Sequence, residues 1–406
     1  MTDVPTLKVY LNDHQIGVLV HLPGDKNLFT FDQAYIDNPN RPILSLSFKD
    51  AAGELATAVK TTRTRLPPFF ANLLPEGQMS EYLARRANVS AKREYFLLAA
   101  LGYDLPGAIT VHPAEEIKHL KDVLPLNSKK LKNVEGPLRF SLAGVQLKFS
   151  AIKNSNSGLI IPANGIGGSW IVKLPSHQFK GVPENEYTMM ELARRVGIDV
   201  PETMLVPLKE IESLPKEVDQ LGEYAFVIKR FDRTAKGKRL HIEDFAQVFG
   251  VYPEEKYQRA TYRNIAEVIN NEIGQEGIVE FIRRFVYNAL IGNGDMHLKN
   301  WSLLYTDKQK VELAPAYDFV STLPYIPNET LALNFVDSKE FHSLSIEQFK
   351  RFSAKARLES HLVLETIEET VAKFAEIWKN SEDLPLEKAY RDLISVHLKS
   401  IPIFKK

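Results

Sequence analysis

The order of hydrophobic periodicities along this 406-residue chain predicts an α+β protein with two lobes, the first rich in strands and the second helical, behind a small α+β subdomain. Three observations predict it. Short alternating segments bounded by turn residues dominate up to about residue 230, whereas helical spacing of apolar side chains dominates from Ile242 onward. Between Ala114 and Gly136 lies a lysine-rich stretch poor in large apolar groups, which separates the first hundred or so residues from the rest. The boundaries that follow are 1–112 for the subdomain, 113–137 for a linker, 138–230 for the strand-rich lobe and 231–406 for the helical lobe.

In the subdomain, residues 8–11 and 15–20 flank Asn12-Asp13-His14 and predict a β-hairpin. Residues 29–31 and 43–48 add two alternating strands. Helices are expected after Pro67 as far as Leu74, over 79–86, and between Ser90 and Leu101, where Gly102 can end the last of them. Lys118, Lys121, Lys129, Lys130 and Lys132 mark the linker as a solvated face. Strand-like pieces follow at 138–150, 159–161 and 170–175. A helix over 185–196 then carries Met189, Leu192 and Val196 on one face, with Gly197 as its stop, and 224–229 is a further strand. Strands, one helix, then strands is the order of a protein-kinase N-lobe. Helices are expected over 244–249, 262–273, 278–291 and after Ser345, with a hairpin of 301–305 and 311–314 among them.

Composition excludes several classes of function. Lys+Arg and Asp+Glu cancel at 51 each, so no bulk attraction to nucleic acid or anionic membrane follows. With no cysteine there is no disulfide, thiolate metal site or thiol nucleophile, which suits a reducing compartment. Met1-Thr2-Asp3-Val4-Pro5 is not a basic segment leading into an apolar run, and no apolar stretch approaches the roughly 18 residues that a membrane span needs. A cytoplasmic protein without membrane association is the expectation.

The chemistry concentrates in Gly292-Asn293-Gly294-Asp295-Met296-His297-Leu298-Lys299-Asn300 and in Tyr317-Asp318-Phe319. Taken singly, Asp295, Asn300 and Asp318 are ordinary turn or surface residues. Together, with a hairpin between them, they supply what kinase-type phosphoryl transfer from ATP requires. Asp295 can take the proton of an attacking hydroxyl, while the Asn300 amide oxygen and the Asp318 carboxylate hold Mg²⁺. Such a site also needs a cation on the phosphates, oriented by a helix glutamate. Lys173, at the end of an apolar strand, is the candidate cation; Glu186 is its preferred partner, with Glu184 and Glu191 as competitors. The turn Ser141-Leu142-Ala143-Gly144 lets backbone N–H groups approach phosphates, with Lys148 within reach, although an ordinary hairpin turn has the same composition. His297 is suited to bonding its own loop's backbone. Lys299 either offsets charge on the transferring group or faces solvent.

Several ordered motifs carry a resemblance to a known family. Residues 141–148, Ile171-Val172-Lys173-Leu174-Pro175, Asn185-Glu186, Lys229-Arg230-Phe231-Asp232-Arg233, 294–300 and Tyr317-Asp318 follow the order found in HipA-type toxin kinases. The segment before His112 is similar to that family's N-terminal subdomain, so the resemblance spans nearly the whole chain. It implies an ATP-dependent serine/threonine protein kinase of a bacterial toxin–antitoxin module, acting on translation, growth arrest and persistence. Family members phosphorylate aminoacyl-tRNA synthetases, glutamyl-tRNA synthetase foremost. Their partner is a small HipB-like helix-turn-helix antitoxin, through which alone they meet DNA. By motif position the resemblance implies Asp295 as base, Lys173 with Glu186 on the phosphates, and Asn300 and Asp318 on Mg²⁺. Lys229 and Phe231 would meet adenine through backbone groups, and Asp232 the ribose. Ser141, Ala143, Gly144, Lys148, His297 and Lys299 would complete the nucleotide site, with Ser141 also the autophosphorylated serine. Val145, Leu147 and Lys229 depart from the family's usual residues. The alternatives are a small-molecule or lipid kinase with the same nucleotide site, and a non-catalytic co-repressor subunit of a DNA-binding antitoxin.

Overall fold

The structure, a computed structural model, describes residues 5–87, 89–114, 148–153, 159–160, 168–176, 178–214 and 222–405. Alternating burial builds its first sheet. In β1 (Thr6–Leu11) the side chains of Leu7, Val9 and Leu11 point into a core, and β2 (His14–Leu22) and β3 (Lys26–Phe31) add Ile16, Leu19, Phe29 and Phe31. With β4 (Thr62–Arg63) and β5 (Ile109–Pro113) they form a five-stranded antiparallel sheet in the order β4-β3-β2-β1-β5. Four helices accompany it: α1 (Gln33–Ile36), α2 (Pro68–Ala71), α3 (Gly77–Arg86) and α4 (Glu94–Leu101). The apolar helix starts later than Ser90, at Glu94, and ends at Gly102 as expected. The alternating segment 43–48 is not a strand. Leu46–Phe48 is a single 3-10 turn capped by Ser45, because the Ser45 hydroxyl and the Leu46 N–H both turn outward to Glu243 of the helical lobe.

The second sheet has six strands in the order β10-β7-β6-β8-β11-β9. They are β6 (Lys148–Lys153), β7 (Leu159–Ile160), β8 (Trp170–Lys173), β9 (Thr203–Pro207), β10 (Ile211–Glu212) and β11 (Tyr224–Lys229). β9 and β10 escaped sequence reading: every residue of β9 is half-buried, so no alternation shows, and β10 has two residues. Helix α5 (Val182–Val196) packs on β9 and β11. It begins three residues before the expected start because Pro183 sits in its first turn, where a missing N–H costs nothing. Its stop is Gly197 at φ 96°, the left-handed region that favours glycine.

The helical lobe opens on a strand rather than a helix. β12 (His241–Asp244) pairs with β13 (Ser302–Tyr305), which pairs with β14 (Val311–Leu313). The Asp244 side chain then closes a reciprocal capping box with Gln247 and starts α6 (Phe245–Val248). Helices α7 (Tyr262–Glu272), α8 (Gln275–Ile291), α9 (Ile346–Ala356), α10 (Ser360–Lys379) and α11 (Lys388–Leu398) follow. Phe281, Phe285, Val286 and Leu290 run down α8 into the largest core, which α7, α9, α10 and α11 enclose. The whole is a two-lobed kinase-like fold carrying an N-terminal α+β subdomain.

Polar contacts dock that subdomain on the helical lobe. Glu243 accepts from the Ser45 hydroxyl (2.5 Å), the Leu46 N–H (3.0 Å) and the Tyr305 hydroxyl. Asn72 donates to the Val251 carbonyl (2.8 Å) and Gln247 to the Phe69 carbonyl (3.0 Å). Gly102 in the subdomain has no room for a side chain. A Cβ on Gly102 would stand 2.3 Å from the Val111 carbonyl oxygen of β5. Gly102→Ala is therefore expected to destabilise the subdomain by about 1–3 kcal/mol through overpacking, read as a lower thermal midpoint by circular dichroism.

Candidate active site

Helix α8 ends at Gly292, whose φ of 67° turns the chain sharply into the Asp295 loop. Asn293, fully buried, fastens that loop. It donates to the Asn288 side chain (2.7 Å) and to the Asp318 carbonyl (3.4 Å), and accepts the Asp295 N–H (3.0 Å). Gly294 donates to the Thr322 hydroxyl (2.9 Å), and a Cβ there would lie 2.2 Å from the Glu329 carboxyl carbon. Asn300 donates to the Asp295 carbonyl (2.8 Å), and the Tyr317 hydroxyl donates to the Lys299 carbonyl (2.9 Å). Asp295, Asn300 and Asp318 are thus tied to one another through backbone carbonyls and the Asn293 amide. Asn293 was missed as a functional residue, because an asparagine between two glycines reads as turn composition.

Lys173 ends β8 with its ammonium buried. It bonds Glu186 of α5 and, at 2.5 Å, Asp318 Oδ1. Burial pulls its pKa down, but the carboxylates of Asp318 and Glu186 outweigh that and hold it above the usual lysine range. Burial pushes the Glu186 carboxyl up to about 7 in spite of Lys173. Asp318 goes the other way: burial would raise it, yet Lys173 and Lys148 hold it well below the ordinary carboxylate range. Lys148 stands opposite Lys173 in the β6–β8 register. Asp318 sits at φ 57°, which aspartate tolerates better than most residues. Of the competing glutamates, Glu191 is spent on Thr203 (2.6 Å) and Arg194, and Glu184 makes no bond to Lys173.

Asp295 is the exposed member of the set, its side chain 45% accessible. Burial of its surroundings raises its pKa, against the hydrogen bond from the Tyr257 hydroxyl and the charge of Lys256. His297 is buried and neutral, burial and Lys256 pulling it down to about 3. Its Nδ1 accepts the Lys299 N–H (3.2 Å), so its place is in the loop's own backbone. Lys299 faces neither phosphate space nor solvent. Its ammonium donates to the Asn72 carbonyl and side chain (3.0 Å each) and pairs with Asp244 (3.2 Å) and Glu76 (3.4 Å).

The Phe231 segment departs in part from expectation. Phe231 stacks on Tyr317, with ring centroids 5.6 Å apart. The Lys229 and Arg230 N–H groups are taken by the Glu202 and Ser169 carbonyls, and the Lys229 side chain reaches Glu202 (3.2 Å). Asp232, expected at a ribose, is buried and holds Arg230 (2.8 Å), Arg233 (2.8 Å) and the Gly107 N–H (2.8 Å), locking the subdomain to the lobe. Ser141, Ala143 and Gly144 lie outside the described residues.

Among the described residues no group of three or more acidic or histidine side chains could cage a metal. Mg²⁺ does not need one, since it binds through one or two protein oxygens and completes its shell with water and phosphate oxygens. Asn300, with its nitrogen committed to Asp295 O and its oxygen left over, and Asp318 fit that role. Lys173→Met would leave two carboxylates facing each other without a cation. The variant is expected to lose about 3–5 kcal/mol of stability at neutral pH. With the lysine gone, both carboxyls would titrate above their unfolded values, so part of the loss returns as pH falls toward 4. Thermal midpoints measured from pH 4 to 8 check this.

Residues 7–112 match the HipA N-terminal domain family and residues 140–378 the HipA-like C-terminal domain family. The protein Y4dM of Sinorhizobium fredii is 48% identical over 411 residues, covering 100% of this chain and 99% of its own. The serine/threonine-protein kinase toxin HipA of Shewanella oneidensis is 26% identical over 409 residues, covering 89% of this chain and 86% of the toxin. The solved complex of Shewanella oneidensis HipA, HipB and operator DNA contains a chain that matches with a TM-score of 0.72 at 21% identity, over 98% of this chain and 96% of that one, a likeness of fold. Two domain families in succession and a relative matched from end to end place the sequence plainly: this chain belongs to the HipA family.

Proposed function

We propose that this chain is an ATP- and Mg²⁺-dependent serine/threonine protein kinase, the toxin of a toxin–antitoxin pair. The observation that carries the reading is the buried ammonium of Lys173 held between Glu186 and Asp318. Such an ion triad is costly to bury and has a use where a phosphate chain and its metal must be met by fixed charge. Lys173 meets the phosphates from the strand-rich lobe. Asp318 and the Asn300 oxygen would hold the metal, which when bound would neutralise charge on the transferring phosphoryl group. Asp295 faces the acceptor side and takes the hydroxyl proton. Phe231, whose ring stacks on Tyr317 at 5.6 Å, would stand on the adenine side.

The acceptor we propose is a protein of the translation machinery, an aminoacyl-tRNA synthetase such as glutamyl-tRNA synthetase, whose modification arrests growth. The partner is a HipB-like helix-turn-helix antitoxin, in keeping with the Shewanella oneidensis complex. DNA is then reached through that partner, which agrees with a chain of zero net charge. Ser141 is the self-modified residue. A phosphate there would add about −1.5 to −2 charge to the segment whose sequence is expected to approach the nucleotide phosphates, and it would repel the nucleotide.

Asp295→Asn is expected to abolish phosphate transfer from ATP to protein while Mg²⁺-ATP binding by calorimetry stays within a few fold. Full transfer by that variant would remove Asp295 from the mechanism, and label appearing in purified metabolites rather than on a protein band would redirect the acceptor. Intact-mass analysis after incubation with ATP should show one added phosphate that Ser141→Ala loses. An unchanged mass in an enzyme that labels an acceptor protein would end the self-modification proposal.

A further inference from the structure

Tyr257 lies 38 residues before Asp295, and no motif connects the two. Its hydroxyl donates to Asp295 Oδ1, while Oδ2 carries no hydrogen bond among the described residues. Tyr257 is 37% exposed, and its ring rests edge-on against the neutral His297 ring, with centroids 4.8 Å apart. Its backbone is fixed from both sides. Glu254 is bound by Arg65 (2.5 Å) and Lys256 by Glu76 (2.9 Å), both partners belonging to the N-terminal subdomain, and Lys339 donates to the Tyr257 carbonyl (3.4 Å). A partly exposed tyrosine on a short loop would ordinarily sample several directions; this one is held through its flanking residues, its carbonyl and the His297 ring, and spends its hydroxyl on the candidate base.

We propose that Tyr257 is a positioning residue of the phosphoryl-transfer site: its hydroxyl holds one oxygen of Asp295 and thereby aims the other at the acceptor hydroxyl. The assignment rests on Asp295 being the base, as proposed above. An exposed aspartate rotates freely about its last torsion, and a base that must lie within about 3 Å of the proton it removes loses most of its advantage when it does. One donor on Oδ1 removes that freedom without consuming Oδ2. The groups around the carboxylate are Tyr257 and Lys256 from the loop after β12 and α6, His297 from the catalytic loop, Asp318 beyond β14, and Glu329 against Gly294. Among these Tyr257 alone donates a hydrogen bond to the Asp295 side chain. The N-terminal subdomain, through Arg65 and Glu76, sets where that donor stands.

Tyr257→Phe keeps the ring against His297 and removes only the oxygen. Phosphate transfer should fall about tenfold in kcat, the scale of a misdirected general base, with KM for ATP unchanged. The hydroxyl favours the charged carboxylate, so its loss should move the acid limb of the pH–rate profile to higher pH. A readout independent of activity is the carboxyl-carbon NMR titration of aspartate-labelled protein, with Asp295 assigned as the signal missing in Asp295→Asn. Its midpoint should move up in Tyr257→Phe by the same amount as the acid limb. An unmoved midpoint overturns the proposal, and so does a variant as fast as or faster than the wild type, which would make Tyr257 a mere obstruction. A moved midpoint in a protein that transfers no phosphate would sink the kinase reading while leaving Tyr257 as the group that orients Asp295.

Discussion

Burying the Lys173 ammonium between Glu186 and Asp318 is the constraint around which the lobes are arranged, because each charge is tolerable there only with the other two present. The three groups come from three elements: the end of β8, the first half of α5 and the segment after β14. A lone ion in such a place costs several kcal/mol. The helix must therefore lie across the strand, and the helical lobe must close on both, before the site is electrically balanced. The triad is also asymmetric. Glu186 is pushed up and Asp318 held down, so the carboxylate nearer the open side is the one that stays ionised. That is the arrangement wanted of a metal ligand, whose lone pairs must not be blocked by a proton.

The loop that carries Asp295 is held with comparable redundancy, by backbone rather than charge. Asn293, Thr322, Asn300 and Tyr317 each satisfy a group of the loop or of its neighbour. The loop's one long cation, Lys299, is drawn away from the reaction space into Asn72, Glu76 and Asp244. Burial makes Asp244 hard to ionise, and Lys299 is what opposes that. The N-terminal subdomain is consequently a structural neighbour of the reaction, although it contributes no group to the nucleotide site proposed.

Much of this was legible in the chain because it is local or is written in residue chemistry. Asp295, Asn300 and Asp318 announce themselves through spacing and the hairpin between two of them; Lys173 stands out as a charge on an apolar strand, and Glu186 as one of three glutamates on the helix that follows. What stayed hidden is long-range. Asp232 looks like a ribose ligand until Gly107, 125 residues away, is seen to donate to it. Lys299 looks like a phosphate ligand or a solvent-facing group until Asn72, 227 residues away, is brought to its ammonium. The strand-like alternation at 43–48 was real, but Glu243 competes for Ser45 and Leu46 and wins, because a buried carboxylate needs donors more than a sheet edge needs a strand. β9 carries no alternation, and in β12 the buried positions are His241 and Glu243, so its alternation does not show as an apolar face.

The contact of Lys299 with the first hundred residues bears on how such a chain can be divided. Severed from that partner, the two lobes would retain every group proposed for chemistry, yet the lysine beside Asn300 would trade three fixed acceptors for one carboxylate and water. Val251, Gln247 and Glu243 would lose the hydrogen bonds that Asn72, Phe69 and Ser45 make with them. The geometry of the candidate site is thus a property of the whole polypeptide, and the excised lobes would not keep the same surroundings for Lys299.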